Sequence, residues 1–187
     1  DDNNAPSPTP APTPGQPVDI KVSDSDHIRG NKNAKITIAS FSDFQCPYCS
    51  KFHETMKQVM AAYPNDVRWV FKSFPLEQIH PLAKKAAEAA ECANEQGKFW
   101  EYSDKLFENQ SSLSNDYFST LAKQMKLDSG KFDKCLADGK YASKVAIDAQ
   151  LGQQLGVRGT PASFINGELV SGAVPFETVK AKIDSLK

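Results

Sequence analysis

A Cys-Pro-Tyr-Cys segment at residues 46–49 separates a β-branched stretch from an amphipathic one. Residues 36–41, ITIASF, are β-branched and partly alternating, which predicts a strand. After Cys49 the apolar side chains recur at helical spacing until Pro64 ends the helix. These side chains are Phe52, Met56, Val59, Met60 and Tyr63. The sequence therefore places the two cysteines at a strand-to-helix junction.

A helix start is a favourable place for a reactive cysteine. The nucleophile is the thiolate, so the thiol pKa must fall from about 8.5. Unpaired N–H groups and the positive end of the helix dipole lower it, and Pro47 is well tolerated in the first turn. Cys49 shares the predicted core face, whereas Cys46 lies nearer the open end. We therefore expect Cys46 to be the exposed attacking thiolate and Cys49 the shielded resolving thiol.

Two other roles for a C-x-x-C pair are a zinc site and an inert structural disulfide. Zinc needs two further ligands, and the remaining candidates are Cys92, Cys135 and three histidines. None of them forms a C-x-x-C or H-x₃-H pair. The pattern favours redox chemistry, with no metal and no cofactor.

The rest of the chain predicts an α/β fold. Residues 67–74 form a second strand, which completes a β-α-β unit with parallel strands. Residues 80–156 are rich in strong helix formers, which predicts helices throughout this range. A hairpin follows at residues 162–170 around an Asn-Gly turn, and a last helix runs from Pro175 to about residue 186.

The first 17 residues hold six of the twelve prolines, which favours an extended polyproline II conformation. We predict a flexible tail over residues 1–25. It is either an unstructured terminus or a spacer, with a reach of roughly 50 Å for the first 17 residues. The spacer interpretation implies a membrane anchor upstream of Asp1. No segment of the sequence reaches the ~18 apolar residues of a spanning helix.

Net charge and cysteine content indicate which partners and which cellular compartment to expect. The net charge of −1 includes no basic block, so nucleic acid is not an expected partner. Two distant cysteines beyond the C-x-x-C pair suit an oxidising compartment, which favours an extracytoplasmic location.

Thr160-Pro161 directly precedes the third strand. Alone it is an ordinary turn, but a cis bond there would turn the Thr160 backbone towards a substrate.

Taken together, three segments resemble the DsbA-like branch of the thioredoxin superfamily. They are FSDFQCPYC at residues 41–49, the stretch from Glu91 to Trp100, and VRGTPASFING at residues 157–167. The resemblance implies a thioredoxin-like catalytic domain, a mixed sheet flanked by helices, over residues 26–78 and 157–187. It also implies an all-helical insertion over residues 79–156.

The resemblance further implies roles for individual residues. Cys46 would form a mixed disulfide with a client, Cys49 would resolve it, and Pro47-Tyr48 would be the active-site dipeptide. Thr160 would pair with bound peptide beside a cis Pro161.

Cys92 and Cys135 lie at positions where the family carries a structural disulfide, although two buried free thiols are the alternative. Related proteins also often hold a buried acid where this chain has Ser40. Asp43 is the nearest acid, and we expect it to be solvated. We expect His53 on a solvated helix face, His27 at the surface and His80 at a helix start.

The function expected from this resemblance is an extracytoplasmic thiol-disulfide oxidoreductase. It would form disulfides in unfolded or thiol-bearing client proteins, and a membrane redox partner would reset the Cys46–Cys49 pair. Alternatives of the same fold are a disulfide isomerase or reductase, or a chaperone or metal-delivery protein without turnover. Pro47-Tyr48 also occurs in glutaredoxins, which are shorter and lack the insertion.

Overall fold

Five strands form one mixed sheet in the computed structural model, which describes residues 16–187. They are β1 (His27–Gly30), β2 (Ile36–Ser42), β3 (Val67–Ser73), β4 (Ala162–Ile165) and β5 (Glu168–Ser171). The order across the sheet is β1-β3-β2-β4-β5. β2 and β3 are parallel, as the β-α-β pattern predicts, and the other neighbouring pairs are antiparallel.

Seven α-helices accompany the sheet within the described residues. They are α1 (Pro47–Ala62), α2 (Ala83–Asn94), α3 (Phe99–Glu108), α4 (Asn115–Gln124), α5 (Ser129–Ala137), α6 (Ala142–Gln154) and α7 (Phe176–Ser185), with a 3-10 turn at Gln110–Ser112. Helices α2 to α6 all lie between β3 and β4, which confirms an α/β fold with an all-helical insertion. Between residues 16 and 187, no helix combines the length and hydropathy needed to cross a bilayer.

Strand β1 is absent from the sequence prediction. Its four residues, HIRG, show no clear alternation, and the strand lies at the sheet edge, paired with β3 alone. The β4–β5 turn, in contrast, follows the prediction. Asn166 and Gly167 both have positive φ, 45° and 85°, as a type I′ hairpin requires.

The core divides into apolar clusters around the sheet. The insertion cluster joins the faces of α2 to α5 to Phe44, Phe71 and both C-x-x-C cysteines. A second cluster packs α1 and α7 against β2, β3 and β4, and includes Met56, Trp69 and Ile183. The C-x-x-C pair therefore lies where the insertion meets the sheet.

The predicted tail lies partly outside the described residues, which begin at residue 16. Val18 donates its backbone N–H to the carbonyl oxygen of Gly167 over 2.9 Å. Val18 and Ile20 also pack against a third apolar cluster, which contains Phe41 and Phe164. The boundary at residue 25 stays a prediction, but the segment around Val18 lies against the sheet.

His53 is buried, so the prediction of a solvated helix position is wrong. Its Nε2 lies 2.6 Å from Asp104 Oδ1, and Arg29 donates to Oδ2 of the same carboxylate over 2.8 Å. The ring also packs against Phe107. Burial lowers the pKa of His53 and outweighs the opposing effect of Asp104. These contacts join α1, α3 and β1.

His27 is also buried rather than at the surface. Its Nε2 lies 2.9 Å from both carboxylate oxygens of Glu91, and its ring stacks on Phe99. Burial by itself would raise the pKa of Glu91, but hydrogen bonds from His27 and Lys144 hold that pKa below its ordinary value. The two buried histidines therefore bind the insertion to the sheet and α1.

Cys92 and Cys135 form a disulfide between α2 and α5, with their Cα atoms 5.8 Å apart. The two residues are 43 positions apart in sequence. A cross-link of that span restricts the unfolded chain strongly.

We expect a Cys92→Ala/Cys135→Ala variant to lose about 4 kcal/mol of unfolding free energy, because its unfolded chain regains the closed-loop entropy. Urea unfolding followed by circular dichroism measures the loss. A Cys46→Ser/Cys49→Ser variant, which keeps the cross-link, is the control. An unfolding midpoint equal to that of the unmutated protein would contradict a stabilising role.

Candidate active site

The C-x-x-C pair begins α1, directly after the loop that follows β2. Cys46 is the N-cap residue, with φ −76° and ψ 121°, and its side chain caps no helical N–H. Its carbonyl oxygen accepts from the backbone N–H groups of Cys49 (3.1 Å) and Ser50 (3.2 Å). Cys46 therefore lies at the positive end of the helix dipole without capping the helix through its side chain.

The pKa values of the two thiols are shifted in opposite directions. A hydrogen bond from the Cys49 thiol is the largest cause that lowers the pKa of Cys46, to about 5. The nearby Thr160 hydroxyl, which has no hydrogen-bond partner among the described residues, and the dipoles of the Cys49 and Tyr48 N–H groups lower this pKa further, against burial. Burial raises the pKa of Cys49, and the neighbouring Cys46 thiolate raises it further. At neutral pH the pair is a Cys46 thiolate beside a Cys49 thiol.

Cys46 is less exposed than the sequence predicts. Its residue exposure is 4%, against 1% for Cys49, so neither cysteine is an exposed residue. Helix position alone indicates an open end, but the insertion cluster covers Cys46 on one side and Thr160 meets it on the other. Tyr48 of the intervening dipeptide is 66% exposed.

The segment before β4 faces the cysteine pair. The Thr160–Pro161 peptide bond is cis. The Cys46 sulfur lies 3.6 Å from the Thr160 carbonyl oxygen, to which the thiol form donates. The structure thus brings Thr160 to the Cys46–Cys49 pair, with Pro161 next to Thr160 in sequence and Pro47 and Tyr48 between the two cysteines. Cys92 and Cys135 form their disulfide elsewhere, within the insertion.

Ser40 is buried and pairs with a second hydroxyl. Its Oγ lies 2.9 Å from Oγ of Ser163, its partner across β2 and β4. The position where related proteins often hold an acid therefore contains a serine pair. Ser42, which the sequence did not single out, has a hydroxyl that lowers the pKa of Cys49 and partly opposes the effect of burial.

Asp43 is buried at 1% exposure, so the prediction that it is solvated is wrong. Its Oδ1 accepts from Gln45 N (2.7 Å), while its Oδ2 accepts from Leu76 N (2.9 Å) and lies 2.8 Å from His80 Nδ1. Its own N–H donates to the Cys49 sulfur over 3.4 Å. Since the carboxylate is held by three donors, we infer that it fixes the loop and aims this N–H at Cys49.

His80 precedes α2, and its carbonyl oxygen accepts from Ala83 N at the helix start. Its side chain points back to Asp43. No group of three or more His, Cys, Asp or Glu side chains between residues 16 and 187 is arranged to hold a metal ion.

We expect the thiolate absorbance of the reduced protein to titrate with a midpoint near pH 5, the pKa of Cys46. Cys49→Ala should raise the midpoint, because the largest stabilising hydrogen bond is lost. Cys46→Ala is the control and should show no thiolate at this pH. A midpoint at the ordinary thiol pKa of about 8.5 would contradict the assignment.

The same pKa makes the stability of the reduced protein depend on pH. The pKa of Cys46 is about 5 when folded and about 8.5 when unfolded, so stability is gained as pH rises through this window and lost as it falls. We expect the difference in unfolding free energy between reduced wild type and Cys46→Ser to grow from about pH 5 to about pH 8. Urea unfolding at several pH values measures it, and a difference independent of pH would refute the linkage.

Known proteins resemble this chain in sequence. A family model described as thioredoxin matches residues 22–185. The Na(+)/H(+) antiporter NhaA 3 of Salinispora tropica is 37% identical over 169 residues, and the antiporter NhaA 1 of Mycolicibacterium vanbaalenii is 34% identical over 159 residues. These matches cover 90% and 81% of this chain but only 25% and 26% of those proteins. The chain thus spans about a quarter of the length of these curated relatives.

Solved structures share the fold. A thioredoxin-like oxidoreductase from Silicibacter pomeroyi has a TM-score of 0.77 at 25% identity, over 88% of this chain and 93% of that one. The α-DsbA1 protein of Wolbachia pipientis has a TM-score of 0.79 at 22% identity, over 88% and 92%. BdbD from Bacillus subtilis has 0.76 at 23% identity, over 84% and 90%. With a family match over residues 22–185 and a DsbA-like fold, the chain belongs to the thioredoxin family.

Proposed function

We propose that this protein is an extracytoplasmic thiol-disulfide oxidoreductase that forms disulfides in unfolded or thiol-bearing client proteins. One observation carries the proposal, namely that the Cys46–Cys49 pair begins α1 with the Cys46 sulfur 3.6 Å from the Thr160 carbonyl oxygen, an arrangement that lowers the pKa of Cys46 and raises that of Cys49. A stabilised thiolate favours the reduced form of the pair. A stable reduced form makes the corresponding disulfide a strong oxidant.

The reaction takes two thiol-disulfide exchanges. A client thiolate attacks the Cys46 sulfur of the Cys46–Cys49 disulfide, so that a mixed disulfide forms and Cys49 leaves. Cys49, with its raised pKa, takes up a proton. A second client thiolate then attacks the client sulfur of the mixed disulfide, and Cys46 leaves as a stable thiolate. The client loses two electrons, and the cysteine pair gains them.

The first exchange can also run in reverse. In a mixed disulfide that the client does not resolve, the Cys49 thiolate attacks the Cys46 sulfur and releases the client unchanged. Cys49 is therefore the resolving cysteine, and its side chain is the more deeply buried of the two, at 1% exposure against 4% for Cys46. Pro47 and Tyr48 separate the two cysteines by the single helical turn that both steps need.

A cleft beside the Thr160–Pro161 segment supports binding of an extended client. It has a volume of about 360 Å³ and is lined by residues 156–162 and by Leu169, Ser171 and Gly172 near β5. Leu169 is 48% exposed there and offers an apolar contact. A client segment lying beside Thr160 would bring its sulfur to Cys46, whose sulfur is 3.6 Å from the Thr160 carbonyl oxygen.

The extracytoplasmic location and the reset partner belong to the same proposal. The Cys92–Cys135 disulfide supports an oxidising compartment. A membrane redox partner would accept the two electrons and restore the Cys46–Cys49 disulfide. The proline-rich residues 1–17 would act as a spacer from a membrane anchor upstream of Asp1. The catalytic domain would comprise residues 26–78 and 157–187, and the insertion residues 79–156.

The test uses the full chain, a reduced and unfolded client protein, and glutathione disulfide as the final oxidant. We expect catalysed disulfide formation, which Cys46→Ser abolishes because the attacked sulfur is missing. Cys49→Ser cannot form the Cys46–Cys49 disulfide, so its Cys46 thiolate should attack glutathione disulfide and release glutathione. The resulting mixed disulfide at Cys46, with glutathione or after exchange with a client thiol, should accumulate because release through Cys49 is lost, and mass spectrometry under non-reducing conditions detects it.

Two results of this assay would overturn the proposal. Full activity in Cys46→Ser would remove the cysteine pair from the reaction. Faster reduction than formation of client disulfides would identify a reductase of the same fold instead. A Cys92→Ala/Cys135→Ala variant that still folds is the control, because its missing disulfide lies outside the reaction.

A further inference from the structure

Gln110 reaches the active-site loop from the helical insertion. It lies in the 3-10 turn between α3 and α4. Its Nε2 donates to the carbonyl oxygens of Phe44 and Cys46, both over 2.8 Å. Carbonyl oxygens only accept hydrogen bonds, so these two partners require the NH₂ group of the amide at this position.

The two carbonyl groups belong to residues at the end of the loop that leads into α1. The Cys46 carbonyl also accepts from Cys49 N and Ser50 N, the first hydrogen bonds of α1. The Phe44 ring stacks against Phe71 of β3, with ring centroids 5.1 Å apart. A single amide therefore joins a residue anchored in the core to the residue that carries the thiolate.

We propose that Gln110 is a positioning residue of the redox centre, which holds residues 44–46 so that the Cys46 sulfur faces the helix N-terminus. The N–H groups of its amide also place partial positive charge beside the backbone of the thiolate residue, which favours the charged form. This role rests on the proposed function, since it concerns how readily the same cysteine pair accepts electrons. It makes the insertion part of the redox chemistry.

Substitutions at Gln110 test its two contributions, the positioning of residues 44–46 and the partial positive charge beside Cys46. Gln110→Met keeps the length but removes the donor, and should raise the pKa of Cys46 by about half a unit to one unit. Gln110→Glu places an acceptor against two carbonyl oxygens and should raise that pKa further. Gln110→Lys restores a donor and adds positive charge, so its Cys46 pKa should not exceed that of wild type.

The matched control is Asn109→Ala. Asn109 is the neighbouring amide, and its Nδ2 donates to the Lys105 carbonyl oxygen within the same segment. The variant should disturb the end of α3 but leave the Cys46 pKa unchanged. A purely structural role for Gln110 would lower the unfolding free energy of the oxidised protein without moving this pKa.

The experiment combines thiolate titration, equilibration with glutathione, and urea unfolding of the oxidised forms. In Gln110→Met, we expect the equilibrium constant for reduction by glutathione to fall about threefold to tenfold. Folded Met and Glu variants with the wild-type Cys46 pKa and equilibrium constant would overturn the inference. The Glu variant, close in shape, carries the test if Met fails to fold.

Failure of the inference is distinct from failure of the proposed function. If wild type itself titrates at the ordinary thiol pKa, the proposed oxidase fails whatever the variants do. If wild type titrates near pH 5 and the Gln110 variants do not differ from it, the role of Gln110 alone is refuted.

Discussion

The hydrogen bond from the Cys49 thiol to the Cys46 thiolate is the interaction on which the rest of the site depends. It is the largest cause that lowers the pKa of Cys46, and the same proximity helps to raise that of Cys49. Both sulfurs must meet at the first turn of α1 for it to form. The end of β2, the buried Asp43 carboxylate and the Thr160–Pro161 segment all determine this geometry.

The insertion is more than a cover over that pair. Its apolar cluster includes both cysteines, so packing in the insertion sets how much water reaches them. Buried polar contacts hold the insertion in place, with Asp104 bound to His53 of α1 and Glu91 bound to His27 of β1. Because partially satisfied buried charges are costly, these contacts favour one fixed arrangement of insertion and sheet.

Local patterns in the sequence predict much of this structure. The β-branched stretch before Cys46, the helical spacing after Cys49 and the Asn-Gly turn each specify an element from neighbouring residues alone. Contacts from distant elements are what the patterns miss. Periodicity places His53 on a helix, but it does not show that Asp104, 51 positions away, lies against it and buries it. For the same reason, the burial of Asp43 and the hydrogen bonds of Gln110 emerge only with the fold.

The reduction potential of the Cys46–Cys49 couple tests the central claim most directly. It is obtained by equilibrating the full chain with glutathione mixtures and counting free thiols by mass spectrometry. If the stabilised Cys46 thiolate makes the pair an oxidant, the potential lies well above the value of about −270 mV for thioredoxin and towards the value of about −120 mV for DsbA. A potential at or below that of thioredoxin would contradict the account.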